Sequence, residues 1–249
     1  MVFYWRSTIA RATTRAAEVE LAFTSRAHPG VGPFGGFNLG GHVGDDPAAV
    51  EAHRATLAGE LGLERDRLLF MRQVHGTTVL EAAGPWSSDV PECDGIVTRA
   101  TDLALAVLVA DCVPVLLHDS AAGVIGALHA GRPGMTDGIV PRALRLMREL
   151  GAHDIAAVVG PSVCGRCYEV PEELVMAAAR TSPVSATRSW TGTPAIDVAA
   201  GVVDQLASEG VAIEWVPGCT REDTDLYSYR RERQTGRFAG VVVMRGAGA

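Results

Sequence analysis

Residues 103–131 read LALAVLVADCVPVLLHDSAAGVIGALHAG. Three apolar runs, 103–109, 113–118 and 124–129, are set apart by Asp111, Asp119 and Gly123, residues that favour turns. Each run has the length of a strand, is short for a helix and is rich in Val, Ile and Leu, as buried strands are. Outward from this centre, 68–74 and 95–98 read as further strands. Upstream, Asp46-Pro47 has the form of an N-cap followed by a helical first turn, and the apolar spacing of Val50, Leu57 and Leu61 predicts a helix over 47–61. Downstream, helices expected over 139–150, 172–180 and 197–209 alternate with strands over 156–159, 213–216 and 241–244. A strand-dense centre flanked by helices, without strict βαβ alternation, indicates an α+β fold built in layers.

The length of 249 residues suits one domain with a substantial core. The expected division is a lead-in over 1–22 and a single domain over 23–249. Hydrophobic residues make up 47% of the chain and charged residues 20%, a globular composition. A net charge of -7, with no basic stripe interleaved with aromatics, offers nothing to neutralise phosphates, so no nucleic-acid partner is expected. All 22 basic residues are arginine. That excludes Schiff-base, pyridoxal-phosphate and Walker-A chemistry, each of which needs a lysine amine. Five cysteines, an odd number spread through an ordinary chain, indicate free thiols rather than a disulfide scaffold. The apolar stretch around 103–110 is too short to span a bilayer and no secretory signal is present, so the expectation is a cytoplasmic protein without membrane contact.

Two short motifs carry little weight. Gly30-Val-Gly32-Pro-Phe-Gly35 matches G-x-G-x-x-G, but Pro33 and the glycine-rich chain that follows do not suit a strand-to-helix turn, so the segment reads as a loop. Cys164-Gly-Arg-Cys167 has no second pair at zinc-ribbon spacing, and a structural role is expected of it. His75, Cys112 and His129 are different, because each stands where an apolar run gives way to Gly or Pro. Three such ligands at strand ends can meet around one zinc ion and leave the fourth position open, as catalytic sites do. Spacing by itself leaves that reading and a plain core role both open.

A longer pattern bears on the choice. FTSR at 23–26, NLGGHVGDDP at 38–47, QVHG at 73–76, DGIVT at 94–98, ADCVPVLLHD at 110–119, ALHAG at 127–131, GPSVCGRCYEV at 160–170 and DVAAGVVDQL at 197–206 occur in order, followed by CT, YSYRR and TGRFAG from Cys219 onward. Together they resemble the laccase-domain family, also known as multicopper polyphenol oxidases or purine nucleoside phosphorylases, with the peptidoglycan editing factor among its bacterial members. The resemblance covers about 23–244. It implies a layered α/β/β/α fold with mixed sheets, and His75, Cys112 and His129 as metal ligands. It also implies zinc-dependent phosphorolysis of adenosine, inosine, guanosine and methylthioadenosine, together with adenosine deamination. Its other names point to a peptidoglycan-precursor hydrolase or a copper-loaded polyphenol oxidase, and a non-catalytic interaction protein is the remaining alternative. The loop usually written HAGWRG reads HAGRPG here, with Arg132 and Pro133 at the Trp and Arg positions.

On this reading one zinc ion per chain, replaceable by Cu2+ in vitro, activates an oxygen nucleophile for attack on a purine nucleoside. Asp111 is the candidate general base or the partner of a ligand imidazole. Arg132 and Arg230 are the candidate phosphate ligands, since arginine is the only strong cation available. Asn38 and Tyr229 are candidate substrate contacts.

Overall fold

A computed structural model of the chain describes residues 1–9, 18–26, 30–87 and 89–246. Its first elements are β1 (Phe3–Ile9), β2 (Glu18–Thr24), α1 (Pro47–Glu60), β3 (Leu68–Leu69), β4 (Val79–Glu81), β5 (Gly95–Thr98), β6 (Ala104–Val109), β7 (Val113–Asp119) and β8 (Val124–Ala130). There follow α2 (Arg132–Asp137), α3 (Ile139–Glu149), β9 (Ala156–Val159), α4 (Glu172–Ala179), β10 (Ala186–Arg188) and β11 (Pro194–Ile196). The last are α5 (Val198–Ser208), β12 (Ala212–Trp215), α6 (Tyr229–Glu232) and β13 (Phe238–Arg245).

The three central runs are strands, and they divide between two mixed sheets. β6 lies in a five-stranded sheet of order β1-β2-β13-β6-β3, whereas β7 and β8 lie in a six-stranded sheet of order β12-β9-β7-β8-β5-β4. Residues 110–112 therefore carry the chain from one sheet to the other. Leu105, Val107 and Val109 of β6 meet Ile125 and Ala127 of β8 in a core between the sheets. The alternate residues Ala104, Ala106 and Leu108 face outward and pack with Leu57, Ala58 and Leu61 at the end of α1. On the far side, Val124, Leu128 and Ala130 of β8 pack with Ile139, Val140, Ala143, Leu144 and Met147 of α3 and with Val202 and Leu206 of α5. The layers are thus α/β/β/α, and strands buried on both faces explain why the runs are apolar without alternation.

Local signals set the helix ends. Asp46 caps α1 by accepting from Ala48 N–H at 3.0 Å, and Asp197 caps α5 by accepting from Ala200 N–H at 2.9 Å. Two expectations need correction. Within 1–22, β1 and most of β2 are strands of the five-stranded sheet, paired antiparallel from Phe3↔Thr24 to Ile9↔Val19, so the domain begins well before residue 23; residues 10–17 lie outside the described residues. The strand expected over 68–74 ends at Leu69. Beyond it the Gln73 side chain replaces the ladder, with Nε2–H donating to Leu108 O at 2.7 Å and Oε1 accepting from Leu108 N–H at 2.8 Å. The chain is thereby released toward Asp94. Residues 30–46 are turns and irregular chain, and the helix after them starts at Pro47. Among the described residues no helix is long and apolar enough to cross a membrane.

Candidate metal centre

The centre is built around one carboxylate. Asp94, fully buried just before β5, accepts the backbone N–H groups of Val74 at 3.2 Å, His75 at 2.9 Å and Gly76 at 2.7 Å. It also accepts from His129 Nδ1–H at 2.8 Å, while its own carbonyl takes the His129 backbone N–H at 2.7 Å. These bonds hold His75 in a left-handed conformation, φ +61°, that a non-glycine residue adopts only under constraint. They also tie His129 Nδ1 to Asp94 and turn Nε2 toward the other ligands, an arrangement typical of metal-binding histidines.

Cys112 comes from the crossover between the sheets, where Asp111 is likewise left-handed at φ +97°. The Asp111 carboxylate is clamped by Thr220 Oγ1–H at 2.7 Å, Ser228 Oγ–H at 2.6 Å and Arg230 N–H at 2.7 Å. Cys112 Sγ then lies 3.6 Å from His75 Nε2, and the His75 and His129 rings sit edge to face with centroids 4.7 Å apart. The three ligand atoms are all within 4.8 Å of one another. Gly131 completes the cradle, because a Cβ there would stand 2.6 Å from His75 Cδ2 and 3.3 Å from Cys112 Sγ.

Burial alone would raise the Cys112 thiol, but the His129 charge and hydrogen bonds from His129 and His75 outweigh it and bring it down to about 6. Burial likewise opposes a charge on His129, yet Cys112 and Asp94 overcome that and lift it to about 9. Without metal the pair is therefore thiolate and imidazolium at neutral pH. A cation binding to both must displace the proton on His129 Nε2. Between about pH 7 and 9, apparent zinc affinity at this site should climb about tenfold per pH unit, and it should level off above the folded-state value of His129. Chelator competition across that range measures it; a flat profile would show that His129 does not ligate.

Over residues 20–245 the sequence matches the family described as multi-copper polyphenol oxidoreductase laccase. The chain belongs to that family. It is 52% identical to a purine nucleoside phosphorylase of Streptomyces griseus, over 89% of this chain and 92% of that one. It is 49% identical to a purine nucleoside phosphorylase of Mycobacterium tuberculosis, over 85% and 86% respectively. Among solved structures, YlmD of Geobacillus stearothermophilus superposes with a TM-score of 0.82 at 29% identity, covering 96% of this chain and all 100% of that one. The layered α+β fold found here is thus shared with YlmD. A thiolate, two imidazoles and one open direction suit zinc, and copper(II) as well.

The ligands floor a cavity of about 430 Å³ whose walls include His42, Gln73, Tyr168, Tyr229, Arg230, Arg233 and Arg237. Tyr229 and Arg230 are thus among the residues that line the cavity. Asn38 and Arg132 do not line it, and Asp111 lines it with its carboxylate already engaged. Asn38 is fully buried, accepting from Gly40 and Arg237 N–H and donating to Asp45, so it braces the glycine-rich loop instead of touching a ligand. Arg132 opens α2 and is not among the residues lining the cavity. Asp111 has both oxygens engaged and serves as the anchor of the 220–230 segment, not as a free base; the imidazole's carboxylate partner is Asp94.

Sequence reasoning gave no role in the site to Asp94, His42, Arg233 or Arg237. His42 sits in the glycine-rich loop, where burial and the nearby Arg237 and Arg54 keep its imidazole below the usual range and hence neutral. It also treated Cys164 and Cys167 as an isolated pair, whereas the fold adds Cys219 and Glu222 to them.

Proposed function

We propose that this chain is a zinc-dependent purine nucleoside phosphorylase acting on adenosine, inosine, guanosine and methylthioadenosine, and that it also deaminates adenosine. The observation that carries the reading is the open face of His75, Cys112 and His129 at the floor of a cavity walled by three arginines and an exposed tyrosine. Relatives that bear the name purine nucleoside phosphorylase at 49 and 52% identity support it. When bound, zinc supplies a Lewis acid that lowers the pKa of a coordinated water to about 7. The chain does the rest. Arg230, Arg233 and Arg237 bind phosphate against one face of the sugar, where breaking the N-glycosidic bond leaves an oxocarbenium-like centre. Tyr229 offers a ring to the purine, and neutral His42 offers a hydrogen bond to the departing base.

Laccase chemistry fits less well, because a multicopper cluster is held mostly by imidazoles. Among the described residues one candidate group has His75 and His129, and the other has no histidine.

Incubating metal-defined protein with a nucleoside panel, with and without phosphate, tests the proposal. Free base with ribose 1-phosphate, and inosine from adenosine in the absence of phosphate, are the expected products. If zinc-loaded protein forms neither from any nucleoside, the reading fails.

Of the two candidate phosphate ligands, Arg230 is among the residues lining the cavity and Arg132 is not. Arg230 spends one donor on Glu169 O at 2.9 Å and lies 4.4 Å over the Tyr168 ring, which leaves other donors for an anion. Arg230→Ala should lower phosphorolysis by about ten- to a hundredfold, the loss of a charge-assisted contact, and deamination much less. Arg132→Ala should stay within a few-fold in both. Equal losses of the two activities in Arg230→Ala protein with intact metal would mean that Arg230 holds the purine or the wall instead.

A further inference from the structure

Away from this cavity the fold gathers a second group of soft ligands. Cys164 and Cys167 lie in the loop after β9, at the C-x2-C spacing of half a zinc site. Ser162 and Cys219 form an isolated parallel bridge, so the loop around 160–168 runs beside the one around 217–223. Cys164 N–H donates to Cys219 Sγ at 3.5 Å, and Cys167 Sγ–H donates to Glu222 Oε1 at 3.2 Å. The three sulfurs and one carboxylate oxygen all lie within 4.8 Å of one another.

We propose that Cys164, Cys167, Cys219 and Glu222 hold a second, structural zinc ion. Tetrahedral zinc with Zn–S of about 2.3 Å and Zn–O of about 2.1 Å places its donors roughly 3.5 to 3.8 Å apart, so the group closes on an ion by moving no more than about 1 Å. Three thiolates favour zinc over the hard cations magnesium, calcium and manganese. Four protein ligands leave no open position, which makes the site structural. A cavity of about 480 Å³ lined by Cys164, Cys219, Asp197 and Trp215 supplies the entry path, while Cys167 closes the inner side.

The ion fastens the wall of the first site from behind. Thr220, next to Cys219, holds Asp111, and Arg221 Nη1–H donates to Cys167 O at 3.3 Å. Tyr168, next to Cys167, lies under Arg230. The expectation of one zinc per chain thus becomes two, and the second does not depend on the proposed activity.

Metal analysis of protein prepared with zinc under reducing conditions tests it. Wild-type protein should carry two zinc ions per chain, Cys112→Ala one, Cys219→Ser one, and the double variant none. Cobalt loaded into Cys112→Ala protein should show thiolate-to-cobalt charge transfer, lost on adding Cys219→Ser. Glu222→Gln, an exposed position that leaves the three thiols in place, guards against misfolding of the cysteine variants. It should release the ion at least about tenfold more readily to a chelator, with Tm nearly unchanged. The proposal is overturned if folded Cys112→Ala protein retains no zinc and shows no such band, if two of the three cysteines are recovered as a disulfide, or if Glu222→Gln binds zinc as tightly as its parent.

Discussion

Cys112→Ala protein is expected to lose the ion shared with His75 and His129, and with it about a thousandfold in turnover. Two imidazoles seldom hold zinc against competing chelators, and a Lewis acid in the transition state contributes several kcal/mol, or about three powers of ten in rate. The thiolate has a second effect, since its charge sustains the imidazolium of His129. With Cys112 gone, His129 should titrate lower, a shift that NMR of the ring protons will follow. Metal content should fall by one ion and not to zero, because the Cys164 group stands apart from this site. Undiminished zinc at the first site, or turnover within a few-fold of the parent, would show that His75 and His129 are not joined by Cys112.

Asp94→Ala should be nearly as damaging for a different reason. The substitution leaves the N–H groups of Val74, His75 and Gly76 without their acceptor and frees the His129 ring to turn. Losing the carboxylate behind a ligating histidine costs about ten- to a hundredfold in metal affinity. Stripping a fully buried carboxylate from its donors costs about 3 kcal/mol or more, a fall in Tm of about 6 to 12 °C for a chain of this size. Asp94→Asn keeps the volume but turns one oxygen into a donor facing N–H groups that already donate, so it should rescue little. A variant that melts like its parent and binds zinc normally would remove Asp94 from the account of the centre.

Much of this was legible along the chain because the responsible residues are neighbours in it. The apolar runs of β6, β7 and β8 are buried on both faces, so burial wrote itself into composition, and Asp46 and Asp197 announced their helices by capping them. What stayed hidden depends on distance along the sequence. An Asp before a Gly reads as a turn, and nothing local discloses that Asp94 reaches back to 74–76 and forward to His129. Cys219 joins Cys164 from 55 residues away. Arg132 misled in the opposite sense, since it follows His129 closely in the chain but opens α2, outside the cavity lining. β1 was passed over because it lies at the sheet edge, where half-buried residues and Arg6 dilute the apolar signal.

The last of the described strands, β13, sits in the middle of its sheet, between β2 and β6. During synthesis, His75, Cys112 and His129 all leave the ribosome long before residues 238–245 exist to pair with β6, the strand that leads into Cys112. A nascent chain thus displays two imidazoles and a thiol with no finished scaffold beneath them, and a pairing of such sequence separation is slow to form. Stable metal acquisition should therefore wait for β13: ribosome-stalled chains ending before residue 238 should exchange zinc freely with a chelator, whereas chains with residues 238–245 free to pair should retain it.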